Sequence, residues 1–365
     1  MTAADGDRRA ALEARIQQFH GVSFEQVLSE IEYLRDAGDS VIAGGSLAYG
    51  LGNHLSDLDL VVGGPTTVDS TGIPLEHFMG SLRVDVWKLA QGLIEGTFER
   101  AREALEGHGP LVGSFGDVDH EDELKLMHRM VFGVVIDGSG LEFPPHLDCS
   151  GIATALVVRE YAERMRTSAL QAQLALKSGR PLAAVVTARL AVEEALNAAV
   201  INRGLPFTGD KWLRERLMND ARDLAGSYEP FRQLPEDPAA GAAAFVDEAL
   251  ATCSDLWGVD LNLDALMEDA YWQNSDLELF TVGDDRLLVS AEVGALWSLT
   301  EGETKAWKAL AADREQQSVT TWSVRDCSAE ASTLCLRLHE QGALRLRWTV
   351  GVRVDELEAT RGIGA

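Results

Sequence analysis

From Phe24 onward the apolar residues fall at Phe24, Val27, Leu28, Ile31 and Leu34. That three-and-four spacing sets them on one face of a helix, predicted from about Ala10 to Ala37 and closed by Gly38 in DAGDS. The pattern then changes to short apolar runs, Val41 to Ala43, Leu58 to Val62 and Leu82 to Val86, which read as buried strands of one small mixed sheet. Helical periodicity returns from Leu93 to about Leu105 and in HEDELKLMHRMVFG, placing helices around that sheet. Two prolines in EFPPHLDCSG break the pattern. Beyond them an Ala-rich stretch from about Thr154 to Asn202, interrupted at KSGRP, predicts an antiparallel helix pair. More helix is expected to about Leu224 and, after the turn-rich YEPFRQLPEDPAAG, to about Leu256.

The last part alternates like a hairpin in ELFTVGDDRLLVS and then predicts short helices in AEVGALWSLT and ETKAWKALAA. A helix in SAEASTLCLRLHEQGAL and a strand in RLRWTVGVRV complete it, with the strand after Gly342 as a wing. The expected class is α+β. Its parts are a small mixed-sheet domain with an N-terminal helix over 1–145, an α-helical bundle over 150–260 and a winged-helix-like module over 275–356.

Charge narrows the partners. The chain has 365 residues, with 58 Asp and Glu against 32 Lys and Arg, a formal charge of −26. A surface this acidic repels phosphate backbones, which disfavours broad nucleic-acid binding. The helix SAEASTLCLRLHEQGAL sets Arg337 and His339 against Glu330 and Glu340, so it is no basic recognition helix. The apolar C-terminal module is instead a candidate surface for a homodimer. No segment reaches the roughly 18 apolar residues of a membrane span, and the charged start MTAADGDRRAALEARIQQF does not read as a signal peptide. A cytoplasmic protein is expected. Cys149, Cys253, Cys327 and Cys335 are scattered without a CxxC pair, as buried thiols are.

The candidate chemistry lies in VIAGGSLAYGLGNHLSDLDLVV, Val41 to Val62. On a strand Asp57 and Asp59 project to the same face, about 7 Å apart along the chain, while Leu58 and Leu60 enter the core. Two such carboxylates repel each other unless they share divalent metal ions. Just upstream, Gly44 and Gly45 allow close approach of backbone to a ligand, and Ser46 opens a helix whose free N–H groups favour phosphate. Downstream, SLRVDVWKL places Asp85 between Val84 and Val86, a third carboxylate on a neighbouring buried strand.

With these residues the stretch from about Val41 to Leu89 resembles the nucleotidyltransferase superfamily of the DNA polymerase β-like fold, in its minimal and antibiotic-modifying branches. The family motif is an apolar strand, a Gly-Ser or Gly-Gly-Ser turn, a spacer, an Asp-x-Asp pair, and later a lone Asp on another strand. Gly45 and Ser46, the spacer Leu47 to Ser56, the pair Asp57 and Asp59, and Asp85 fill those positions. The resemblance implies two Mg2+ ions on Asp57, Asp59 and Asp85, and a nucleoside triphosphate, such as ATP, as co-substrate at Gly44, Gly45 and Ser46. It implies transfer of a nucleoside monophosphate to an oxygen of a small-molecule acceptor, an antibiotic-like compound or a biosynthetic intermediate, with release of pyrophosphate. Asp85 would stand beside the acceptor and help to deprotonate it.

Two other readings stay open. One is a nucleotidyltransferase that modifies a protein or a tRNA, as toxin and antitoxin members do, and the other is a non-catalytic nucleotide-binding regulator, against which the intact carboxylates speak.

Further candidates are weaker. Arg189 and Glu193 form an i, i+4 pair on a helix, which reads as a solvated salt bridge. In related small-molecule enzymes a helical-domain acid serves as acceptor base, a role open to Glu193 or Glu194. In FTGDKW, Lys211 and Trp212 would contact the nucleotide, or Asp210 caps a helix and Trp212 is simply buried. Asn53 and His54 are triphosphate contacts or a solvated loop tip. Lys88 points to phosphate or is an exposed lysine at a strand end.

Overall fold

The computed structural model describes residues 3–65, 67, 69–71, 73–107, 120–205, 210–274, 277–282, 285–290, 293–311 and 320–349. The architecture is α+β, and the described residues divide into two compact units. The first comprises 3–107, 120–160 and 197–225, and the second 161–196 and 226–349.

The single helix expected at the N-terminus is two, α1 (Ala3–His20) and α2 (Phe24–Glu30), followed by a 3-10 turn at Glu32–Leu34. Gly21 turns the chain at φ +68°. Ser23 then starts α2 with a capping box: its Oγ accepts from the Gln26 N–H at 3.3 Å, and its own N–H donates to Gln26 Oε1 at 2.8 Å. Such a reciprocal cap satisfies two N–H groups that the helix start would otherwise leave bare.

The sheet has the order β3-β4-β2-β1-β5. Its strands are β1 (Ser40–Gly44), β2 (Leu58–Gly64), β3 (Leu75–Met79), β4 (Leu82–Ala90) and β5 (Val134–Asp137). A one-turn helix, α3 (Gly45–Ala48), follows β1, while α4 (Gln91–Glu106) packs on β4 and α5 (His120–Phe132) on β1. β2 and β4 pair in parallel, and every other pairing in this sheet is antiparallel. β3 and β5 were not expected, because LEHFM is half polar and VVID is only four residues long.

Val41, Ala43, Leu58, Leu60, Val62, Val84 and Val86 cluster with Leu12 and Ile16 of α1, Phe24 and Val27 of α2 and Ile31 just after it in one buried core. Each of these Val, Leu, Ile and Phe side chains contributes about 1.5–3 kcal/mol through burial. By strand alternation the intervening residues of β2 and β4 face the other way. Asp59 and Asp85 are among them.

The long helices are α6 (Cys149–Lys177) and α7 (Pro181–Asn202), then α8 (Leu213–Asn219) and α9 (Arg222–Tyr228). In the second unit α10 (Pro238–Trp257) is capped by Asp237 and tied to α7 by Trp257, whose Nε1 donates to the Ala195 carbonyl at 3.0 Å.

After α11 (Leu263–Asp269) come β6 (Ala270–Asn274), β7 (Glu278–Val282), β8 (Asp285–Ser290) and β9 (Ala295–Ser298). α12 (Glu301–Ala311), β10 (Thr320–Ser323), α13 (Ala329–Glu340) and β11 (Arg345–Trp348) end the described chain. The hairpin β7-β8 is as expected, but the described part of AEVGALWSLT, residues 293–300, forms no helix. Its ALWS segment is β9, which pairs with β8 and sets Trp297 opposite Leu288. That cross-strand contact prevails over a weak local helical pattern. The strand after Gly342 is present as β11, and it joins the sheet β10-β6-β11 beside β6. The later residues of the expected wing lie outside the described residues. Among the described residues no helix is long and apolar enough to cross a membrane.

Candidate functional site

Strand register builds one row of side chains across the sheet. Gly44 of β1 pairs with Asp59 of β2, Asp59 with Asp85 of β4, and Asp85 with Glu76 of β3. Register partners share a face, so Asp59 and Asp85 stand side by side, with Asp57 just ahead of β2 on the same side. One carboxylate oxygen from each of Asp57, Asp59 and Asp85 lies within 4.8 Å of the others. Asp59 and Asp85 are 6% and 5% exposed, whereas Asp57 is half-buried. The structure therefore brings together the three aspartates singled out in the sequence.

Two guanidinium groups answer these carboxylates, and neither was foreseen. Arg129 of α5 meets Asp59 Oδ1 through Nη2 at 2.8 Å. Arg83 grips Asp85 with two donors, Nε to Oδ1 at 2.8 Å and Nη2 to Oδ2. The same Nη2 lies 3.7 Å from Asp57 and 3.8 Å from Glu76. Four carboxylates thus face two cations. Burial, with Asp57 and Asp85 adding to it, pushes the Asp59 carboxyl up to about 6 against the pull of Arg129 and Arg83. Its hydrogen bond with Asp85 holds Arg83 above the ordinary arginine value. This surplus of negative charge, in an all-oxygen donor set on a rigid sheet, suits a hard divalent cation such as Mg2+.

The glycine turn is built against the same group. Gly45 has φ +74°, and a Cβ there would lie 2.1 Å from Asp59 Oδ2. A Cβ on Gly44 would lie 2.5 Å from Cγ of Arg129. The turn and the carboxylate thus fit only without a side chain at Gly45. The helix expected to open at Ser46 is the single turn α3, which starts one residue earlier at Gly45 with Gly44 as its N-cap, and the loop behind it is closed by the N–H groups of Leu51 and Gly52, which donate to the Ser46 carbonyl at 3.0 and 2.9 Å.

The other candidates stand in surroundings of their own. Lys88 donates to Asp36 at 2.8 Å, an ion pair on the sheet and not a free cation. Asn53 staples its loop by accepting from Leu55 N–H at 2.9 Å, while its own N–H donates to Ser56 Oγ at 3.0 Å. Lys211 is exposed in the short turn Asp210–Trp212, its Nζ 5.6 Å from the centre of the Trp212 ring. Glu193 accepts from Arg189 Nε and from the Tyr228 hydroxyl, both at 2.9 Å, so it has more than the expected i, i+4 partner. Burial and that bond push the Tyr228 phenol up. The adjacent Glu194 is buried in the second unit, 7% exposed.

No protein-family model matches this chain, and no curated protein matches it. Among solved structures it is similar to a nucleotidyltransferase-like protein from Exiguobacterium sibiricum 255-15, with 14% identity and a TM-score of 0.33 over 67% of this chain and 76% of that one.

Proposed function

We propose that this chain is a metal-dependent nucleotidyltransferase that moves a nucleoside monophosphate from a nucleoside triphosphate to an oxygen of a small-molecule acceptor and releases pyrophosphate. The observation that carries this reading is the row of Asp57, Asp59 and Asp85 on two adjacent strands, directly behind a glycine turn packed on Asp59. Asp57, Asp59 and Asp85 are the residues that would hold magnesium. When bound, the metal neutralises charge developing at the α-phosphorus and on the departing pyrophosphate.

The protein groups supply position and proton transfer. The backbone at Gly45 and the hydroxyl of Ser46 bind the β- and γ-phosphates at the glycine turn. Asp85 takes the acceptor's hydroxyl proton as the acceptor oxygen bonds to phosphorus and the bond to the β-phosphate breaks. Before metal binds, Arg83 holds the Asp85 carboxylate in place through its paired donors.

Calorimetry and pyrophosphate release with each of the four ribonucleoside triphosphates and Mg2+ test the reading on wild type beside the Asp57→Asn, Asp59→Asn double variant. One nucleotide is expected to bind in a metal-dependent way, with slow pyrophosphate release that the double variant abolishes. Binding that ignores both aspartates, or no binding at all, overturns it. Metal-dependent binding without turnover, even with small acceptors supplied, would favour a nucleotide-binding regulator.

Arg83 gives a second, independent check. Its guanidinium lies on the oxygens that a divalent cation needs, so the two compete. Arg83→Gln is expected to raise Mn2+ affinity about tenfold without nucleotide, the scale of one interaction of roughly 1.4 kcal/mol. Paramagnetic titration of the free protein reads this directly, and an unchanged or weaker affinity would mean that Arg83 does not occupy the ion's place.

A further inference from the structure

In the first unit, arginines readily find the abundant acids: Arg35, Arg83, Arg100, Arg102 and Arg129 each reach a carboxylate. Arg8 and Arg15 of α1 do otherwise. Arg8 Nη2 donates to the carbonyl of Phe132 at 2.6 Å, and Arg15 Nη1 donates to the carbonyl of Leu47. Neither guanidinium forms an ion pair with a carboxylate among the described residues. Arg8 is exposed and Arg15 half-buried, and in a chain of net charge −26 both are left with main-chain partners. Partial burial lowers the Arg15 pKa with no carboxylate to offset it.

Both arginines line one cavity of about 350 Å³, with Ala48, Tyr49, Gly50 and Phe132 among its walls. That volume lies at the lower end of small-molecule sites, which combine apolar walls with a few convergent polar groups. A guanidinium presents five N–H donors, and each of these has one main-chain acceptor here. The remaining donors, the aromatic residues Tyr49 and Phe132 in the walls and the absence of an acid among the described lining residues define the complement.

From this we infer that the cavity is a binding site for a small molecule carrying a phosphate or carboxylate group on a flat apolar body, held by Arg8 and Arg15 and independent of the three aspartates. Paired guanidinium groups suit such oxyanions because their donors match two oxygens at once. The site borders the machinery described above. Arg15 ties α1 to the α3 turn that follows Gly45 and Ser46, and Arg8 ties it to the end of α5, the helix that carries Arg129.

The test is calorimetric titration of the full chain with phenyl phosphate, inorganic phosphate and benzoate in magnesium-free buffer containing a chelator. Wild type, Arg15→Gln, Arg8→Gln with Arg15→Gln, and Asp57→Asn are compared, each with a melting curve to establish that it folds. Phenyl phosphate or benzoate is expected to bind wild type and Asp57→Asn equally, at least tenfold more weakly to the double glutamine variant, and more tightly than inorganic phosphate. The proposal is overturned if no probe binds wild type, if the folded glutamine variants bind as wild type does, or if Asp57→Asn alone abolishes binding. The last outcome would place the anion at the carboxylate site. Because metal and nucleotide are absent, the result does not depend on whether the chain transfers nucleotides.

Discussion

Asp59→Asn is expected to yield a protein that melts a few degrees above wild type at pH 7.5 and has lost nucleotide transfer by about 10³-fold or more, a barrier increase of roughly 4 kcal/mol. The two effects have one cause. Burial and the neighbouring Asp57 and Asp85 raise the Asp59 carboxyl from 3.8 to about 6, with Arg129 and Arg83 offsetting only part of the rise. The folded state therefore holds this proton more tightly than the unfolded chain does. Its contribution to stability is complete below about pH 4 and is lost as the pH rises past about 6. At pH 7.5 the fold then carries a charge it disfavours by about 3 kcal/mol, at 1.36 kcal/mol per pKa unit. Asparagine keeps the shape and removes the charge. The gain in melting temperature should shrink towards zero at pH 4, where the wild-type carboxyl is already protonated.

A structural salt bridge predicts the reverse. If Asp59 served mainly to pair with Arg129 at 2.8 Å, removing it would leave a buried cation alone and destabilise the protein by about 3–5 kcal/mol. Melting curves at pH 4 and 7.5, with pyrophosphate release measured on the same samples, decide between the two. A variant that melts lower at pH 7.5, or that turns over normally, rules out the reading of Asp59 as a site held at the expense of stability.

How much of this was legible in the sequence depends on how local each signal is. The aspartate triad was legible because strand alternation and apolar flanks are local: Leu58, Leu60, Val84 and Val86 fix the faces, and the carboxylates follow by parity. Glu76 was not, since β3 has no apolar run and exists only by pairing with β4. Arg83 had a local signal that passed unread: it lies two residues before Asp85 and so on the same face of β4. Arg129 had none, because its meeting with Asp59 depends on how α5 packs on β1. The break after α1 was also local, in the glycine and capping box of HGVSFEQ, but the continuous apolar spacing masked it. β9 needed its partner β8 to exist at all.

Gly45→Ala is expected to be the most damaging single-methyl change in the first unit, with transfer falling at least about 100-fold, close to 3 kcal/mol in barrier, and Mn2+ affinity falling in parallel. Alanine must adopt φ +74° at a cost of about 1–2 kcal/mol, and its Cβ would lie 2.1 Å from Asp59 Oδ2. Asp59 then has to rotate away from Asp57 and Asp85, or the turn has to move off the sheet; either breaks the oxygen cluster. The two contributions separate by comparison with Gly80→Ala at the β3-β4 hairpin. Gly80 has φ +63° and open space around the added methyl, so that variant carries the backbone strain without the clash. Both variants should lose similar stability from backbone conformation, while only Gly45→Ala loses metal binding and transfer. Equal metal affinity in the two would show that the turn is shaped by the chain reversal alone, and that its contact with Asp59 has no part in holding the carboxylates together.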